Sequence, residues 1–167
     1  MTHPKLYAGL TVIEILGIAI KKEIDAAQFY KKVGEHIPNP IVRSRFHSLA
    51  KDERVHRALL QTEFKRLTGE AKAPPLPKMD FPKEEKYDFR HFSIEEALQF
   101  AIRAEREAQR LYTEAANSST DPRGRRLLDY LVEFEKGHER QLRAEIDFYK
   151  KSPLWFEETE ELIHVGP

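Results

Sequence analysis

Six side chains of this 167-residue chain could together do metal chemistry: Glu23, Glu53, His56, Glu105, Glu135 and His138. An offset of 82 positions carries Glu23 onto Glu105, Glu53 onto Glu135 and His56 onto His138. Each copy reads as one Glu on a first helix and Glu-x-x-His on the next. Residues three apart share a helix face, so both members of Glu-x-x-His can point at one site. Four carboxylates and two neutral imidazoles form a mixed oxygen and nitrogen donor set that suits iron or manganese, with zinc also possible. Their four negative charges balance two divalent ions, which makes buried charge of this kind tolerable.

The elements that must position these residues repeat with them. The same offset places Thr11 on Ser93, Glu14 on Glu96, Leu16 on Leu98, Ala26 on Ala108 and Tyr30 on Tyr112. In the second half of each copy it places Pro40 on Pro122, Leu49 on Leu131, Leu60 on Leu142 and Glu63 on Glu145. Leu16, Ala19, Glu23, Ala26 and Tyr30 recur at helical spacing along one stripe, as do Leu49, Glu53, His56 and Leu60. No Lys or Arg interrupts these stripes. The competing reading, a bundle whose internal Glu and His pair with Lys or Arg, therefore has no cations to draw on. Thr11-Val-Ile-Glu14 and Ser93-Ile-Glu-Glu96 read as capping boxes, and Asn39-Pro40 and Asp121-Pro122 as an N-cap followed by proline at the first helical position.

Helices are expected over 11–37, 40–69, 93–119 and 122–151, as two antiparallel hairpins, 11–69 and 93–151. Residues 70–92 between them hold Pro74, Pro75, Pro77 and Pro82. That segment is too long for a tight turn and too rich in proline for a helix. The predicted fold is all-α: a four-helix bundle with one long crossover between helices 2 and 3, within a domain spanning 1–152. Phe81, Tyr87, Phe89 and Phe92 should pack the crossover onto the bundle. The tail 153–167, with Trp155 and Phe156, is expected to form a short helix over an apolar patch of its own chain or a partner.

Composition narrows the function classes. Lys plus Arg and Asp plus Glu number 28 each, so net charge is zero and no basic stripe points to nucleic acid. Cysteine is absent, which excludes disulfides, thiol chemistry, iron–sulfur clusters and a four-cysteine iron site. The apolar run Leu10 to Ile20 is too short to span a bilayer, contains Glu14 and lacks the features of a signal peptide, so a cytoplasmic protein with no membrane contact is expected. Helix one is apolar nearly all round (Val12, Ile13, Ile15, Leu16, Ile18), which predicts a homo-oligomer, with a dimer favoured. His3, His36, His47 and His91 read as surface residues, and Glu161-x-x-His164 as a chance match. Tyr30 and Tyr112 lie two turns from the first-helix glutamates; they read either as core tyrosines bonded to a buried carboxylate or as groups that relay electrons.

The runs Ala-Ile-Lys-Lys-Glu23-Ile-Asp-Ala-Ala-Gln-Phe-Tyr30, Leu-Ala-Lys-Asp-Glu53-Arg-Val-His56, Ala-Ile-Arg-Ala-Glu105 and Glu135-Lys-Gly-His138 resemble rubrerythrin-type members of the ferritin-like superfamily. The resemblance covers about 10 to 150. It implies a ferritin-like di-iron carboxylate site in which Glu53 and Glu135 bridge the ions, Glu23 and His56 complete one shell, and Glu105 and His138 the other. Rubrerythrins proper carry a further glutamate where this chain has Ala108, and a rubredoxin module that is absent here. The six-ligand pattern is also similar to bacterioferritin, but Arg54 stands where that family has its haem-ligating Met, so no haem is expected.

These features imply a di-iron oxidoreductase that reduces hydrogen peroxide or dioxygen, with a part in resisting oxidative stress. Its electrons would come from an external, rubredoxin-like donor. A ferroxidase that handles iron is the alternative, and a non-enzymatic helical scaffold the second.

Overall fold

Val12–His36 (α1), Pro40–Thr68 (α2), Ile94–Ser118 (α3) and Pro122–Lys151 (α4) are the long helices of the computed structural model, which describes residues 7, 9–72 and 87–157. A short helix, Pro153–Glu157 (α5), follows, and the described residues contain no strand. The helix starts show how local chemistry sets these bounds. Thr11 and Glu14 form a reciprocal capping box, and Asn39 and Asp121 accept backbone N–H bonds ahead of Pro40 and Pro122. At the far end of α2, Gly69 takes the left-handed conformation (φ 76°) that closes a helix without a Cβ penalty.

The second predicted capping box is only half present. Ser93 accepts from Glu96 N–H, but its own N–H donates to the Tyr87 hydroxyl (3.0 Å), which in turn donates to Ser93 O (2.8 Å). A residue of the crossover thus supplies the partner that Glu96 was expected to supply.

Tyr30 on α1 reaches Glu105 on α3, and Tyr112 on α3 reaches Glu23 on α1, so these two helices run antiparallel. Tight turns join α1 to α2 and α3 to α4, so α3 must run parallel to α2. The chain leaving α2 therefore has to return along the bundle before α3 can start, a distance of about 40 Å for 29 helical residues. That return is why the connection is long.

Two apolar clusters fill the bundle. One gathers Tyr30, Phe46, Leu49, Leu98 and Leu142 where α1 ends and α3 begins; the other gathers Leu16, Leu60, Leu111, Tyr112 and Leu131 at the opposite end. Tyr87, Phe89 and Phe92 pack on the first cluster as expected of the crossover, whereas Phe81 lies outside the described residues. Phe156 is fully buried in the same cluster, and Asn39 donates its side-chain N–H to Trp155 O (2.7 Å). The start of the tail therefore covers its own chain. Ile15, Leu16 and Ile18 are likewise buried within this chain, whereas Val12 and Ile13 are only partly buried. No helix among the described residues is long and apolar enough to cross a membrane.

Candidate metal centre

Between the two apolar clusters lies a polar layer built from one side chain each of α1 and α3 and two each of α2 and α4. Glu23, Glu53, His56, Glu105, Glu135 and His138 are all buried, none more than 4% exposed. Sequence spacing foresaw all six, and the structure brings all six together. They form two overlapping groups: Glu23, Glu53, His56 and Glu135 in one, and Glu53, Glu105, Glu135 and His138 in the other. In each group the candidate ligand atoms lie within 4.8 Å of one another. Glu53 and Glu135 belong to both.

The atoms show why those two are shared. Glu53 turns Oε2 to His56 Nδ1 (3.0 Å) and Oε1 to His138 Nδ1 (3.2 Å). Glu135 does the reverse, with Oε1 at 3.0 Å from His56 Nδ1 and Oε2 at 3.0 Å from His138 Nδ1. Each central carboxylate thus offers one oxygen to each side, so it could be shared between two ions. Glu23 stands 3.9 Å from His56 Nδ1 and Glu105 stands 3.7 Å from His138 Nδ1, one on each side. Both imidazoles point Nδ1 inward, and their rings stack with centroids 5.5 Å apart.

Every ion pair of these four carboxylates among the described residues goes to one of the two imidazoles. The contrast with the next repeated pair of buried glutamates is instructive. Glu145 is held by Arg45 (2.7 Å) and Glu63 by Arg66, so those two are structural ion pairs. In the polar layer, Glu53 Oε1 and Glu135 Oε1 are buried without a hydrogen-bond partner. Native interiors rarely leave such atoms unsatisfied, and an ion between them is a direct remedy. The donor set is hard oxygen with nitrogen, and it fits two divalent ions of the iron or manganese kind.

Protons can also balance the charge of the layer. Burial, followed by the charges of Glu53 and Glu135, pushes Glu23 well above the usual carboxylate range. Burial pushes Glu105 up as well, against an opposing hydrogen bond from His138. Burial would also raise Glu135, but hydrogen bonds from His138 and His56 outweigh it and hold the group at about 2; the same imidazoles hold Glu53 below its ordinary value. Burial would lower His56, yet its bonds to Glu135 and Glu53 raise it to about 9, and the equivalent bonds raise His138 further. The layer thus favours protons on the two imidazoles and on the two outer glutamates, and charge on the two central carboxylates.

Tyr30 and Tyr112 are fully buried, and each hydroxyl donates to the outer glutamate of the opposite hairpin, Glu105 and Glu23 respectively. This is the bonded-core reading of these tyrosines. They also lock α1 to α3 across the site.

A cavity of about 580 Å³ opens from the layer between α1 and α3. Its walls include Ala26, Ala108, Phe29 and Phe100, and it reaches Glu23, Glu53, Glu105 and Glu135. The two small alanines leave this space open. Glu107 also lines the cavity, where it pairs with Lys22 (3.4 Å). Arg54 is exposed and donates to Ala50 O. His36, His47 and His91 are exposed, as expected; His3, Glu161 and His164 lie outside the described residues.

One neighbour escaped the sequence reading. Asp52 Oδ2 lies 3.7 Å from His138 Nε2, the outward nitrogen of that ring. Only the crossing of α2 over α4 brings them together, so no spacing within one helix signals it.

A model of the Rubrerythrin family matches residues 14–146. No curated protein matches the sequence. Among solved structures, the chain is similar to a hypothetical protein from Pyrococcus furiosus, at 28% identity and a TM-score of 0.75, over 86% of this chain and 93% of that one. It is also similar to a candidate ferritin-like diiron-carboxylate protein from Thermotoga maritima, at 24% identity and a TM-score of 0.68, over 83% of this chain and 95% of that one. A third similarity is to Rhodobacter capsulatus bacterioferritin, a structure with a metal-free dinuclear site and haem iron. Here identity is 22% and the TM-score 0.68, over 93% of this chain and 94% of that one. The fold is a ferritin-like helical bundle.

Proposed function

The chain belongs to the rubrerythrin family, and from that premise we propose that it is a di-iron carboxylate oxidoreductase that reduces hydrogen peroxide or dioxygen with electrons from an external donor. The observation that carries this reading is the pair of overlapping ligand groups sharing Glu53 and Glu135, with a cavity leading to them. Two bound irons would supply one electron each, the two that a peroxide and two protons need to become two waters. The chain does the rest. Glu53 and Glu135 set the spacing of the two positions. His56 and His138 offer Nδ1 to one position each, and Tyr30 and Tyr112 fix the outer carboxylates. Apolar clusters above and below close the layer at both ends, so electrostatic interactions inside it are stronger than in water.

The test loads the metal-free protein anaerobically with two Fe(II) per chain and mixes it with equimolar peroxide or with oxygenated buffer. Oxidation by peroxide faster than by dioxygen is the expected result for a peroxidase. The reverse order would favour the second reading, a ferroxidase that handles iron. Ala108 supports that reading, because the centre then has six ligands and an open wall. A large multi-subunit assembly in solution would strengthen it, and a dimer would count against storage.

A further inference from the structure

The internal repeat makes each half of the centre a control for the other, and one pair of equivalent positions breaks the symmetry. An offset of 82 carries Asp52 onto Phe134. Asp52 places a carboxylate oxygen 3.7 Å from Nε2 of His138. At the equivalent place Phe134 sets its ring edge-on to His56, with centroids 4.8 Å apart, and more distantly to His138, at 5.8 Å. Both Nε2 atoms are buried without a hydrogen bond, so what separates them is charge: among the described residues a carboxylate stands within 4 Å of Nε2 of His138 and none stands there for His56. The ligand atoms themselves are nearly symmetric: both imidazoles approach the shared carboxylates at 3.0–3.2 Å. The difference lies outside them.

We propose that the two metal positions are inequivalent: Asp52 is a positioning residue for His138, so the position formed by Glu105 and His138 holds its ion tightly, while the position formed by Glu23 and His56 is the exchangeable one. The argument rests on the di-metal reading above. A ligating imidazole must present a lone pair on Nδ1 and keep its proton on Nε2. A carboxylate beside Nε2 favours that tautomer, fixes the ring and raises the basicity of the ligating nitrogen. His138 has such a carboxylate across the α2–α4 contact. His56 has an aromatic ring, which blocks water from that side and accepts no hydrogen bond in its plane. Asp52 is about two-fifths exposed, so it is also the more hydrated end of the centre, yet it acts on the ring rather than on the ion.

The experiment is an anaerobic titration of the full metal-free chain with Co(II), followed by calorimetry and by the visible spectrum of the bound ion. Two steps separated by roughly 10- to 100-fold in affinity are expected, the size of effect such outer partners have. His138→Ala should remove the tight step and His56→Ala the weak one. Asp52→Asn should bring the tight step close to the weak one and alter the spectrum of the first equivalent, with thermal unfolding of the metal-free protein unchanged. Phe134→Asp should tighten the weak step. Two equal steps in the unaltered chain, or a separation that survives Asp52→Asn, would overturn the inference and leave the di-metal reading intact. No Co(II) binding at all would overturn both.

Discussion

Loading the metal-free chain with two divalent ions at pH 7.5 should release between about two and about four protons per chain. The number follows from where the structure stores them. His56, raised to about 9, and His138, raised further, are imidazolium at that pH. Glu23 and Glu105 sit well above the ordinary carboxylate range and add up to one proton each, whereas Glu53 and Glu135 are already ionised. Every one of the six must be deprotonated to ligate. Had the same residues ordinary values, each imidazole would be about one-tenth protonated and the carboxylates fully ionised, so release would be close to nil. Zn(II) is the ion to use, because it has no redox chemistry. Calorimetry in buffers of different ionisation enthalpy counts the protons directly. The sign with pH is fixed too: apparent affinity for the pair of ions should climb by roughly two to four decades per pH unit, and the slope should ease by about one decade per unit once pH passes about 9, where His56 gives up its proton unaided while His138 keeps its own. In the metal-free protein the dependence is opposite. The His56 contribution to stability is fully present below its unfolded value near 6.5 and is lost as pH rises through about 9. Release of less than one proton, or an affinity indifferent to pH, would refute the proton-balanced layer.

Three further outcomes follow from the geometry. Glu53→Ala should lose both ions together because both ligand groups use it, whereas Glu23→Ala should leave roughly one ion per chain; anaerobic Fe(II) stoichiometry separates the two. Tyr30→Phe leaves Glu105 Oε1 without its buried donor and should cost about 1–3 kcal/mol in denaturant unfolding; a loss near zero would mean that the bond does not form in solution. Phe156→Ala empties a fully buried site in the main cluster and should cost about 3–5 kcal/mol, while an unchanged unfolding midpoint would show that α5 does not dock on its own bundle.

Much of this was legible in the sequence because it is local or periodic. Thr11, Asn39, Ser93 and Asp121 mark helix starts through bonds that reach only two or three residues ahead. Glu53 and His56 share a face by the pitch of a helix, and the repeat with Glu135 and His138 doubles the signal. The absence of Lys and Arg from those stripes already implied that something else balances the glutamates. Helix pairing into hairpins followed from the short turns at 37–39 and 119–121.

Contacts between helices set the remainder. The sequence could not pair Tyr30 with Glu105 or Tyr112 with Glu23, because each bond spans the two hairpins and depends on α1 and α3 running antiparallel. Nor could it show that Tyr87 takes over half of the capping box at Ser93, or that Ile15, Leu16 and Ile18 of α1 find their burial inside one chain. The difference between Asp52 and Phe134 is visible as letters, but its meaning is not: a side chain gains a role beside a metal ligand only when the crossing of α2 and α4 places it a few ångströms from the right nitrogen. Helical period and capping chemistry act within a few residues and survive in the one-dimensional code. Proximity across helices is set by how whole faces pack, and that exists only in the folded bundle.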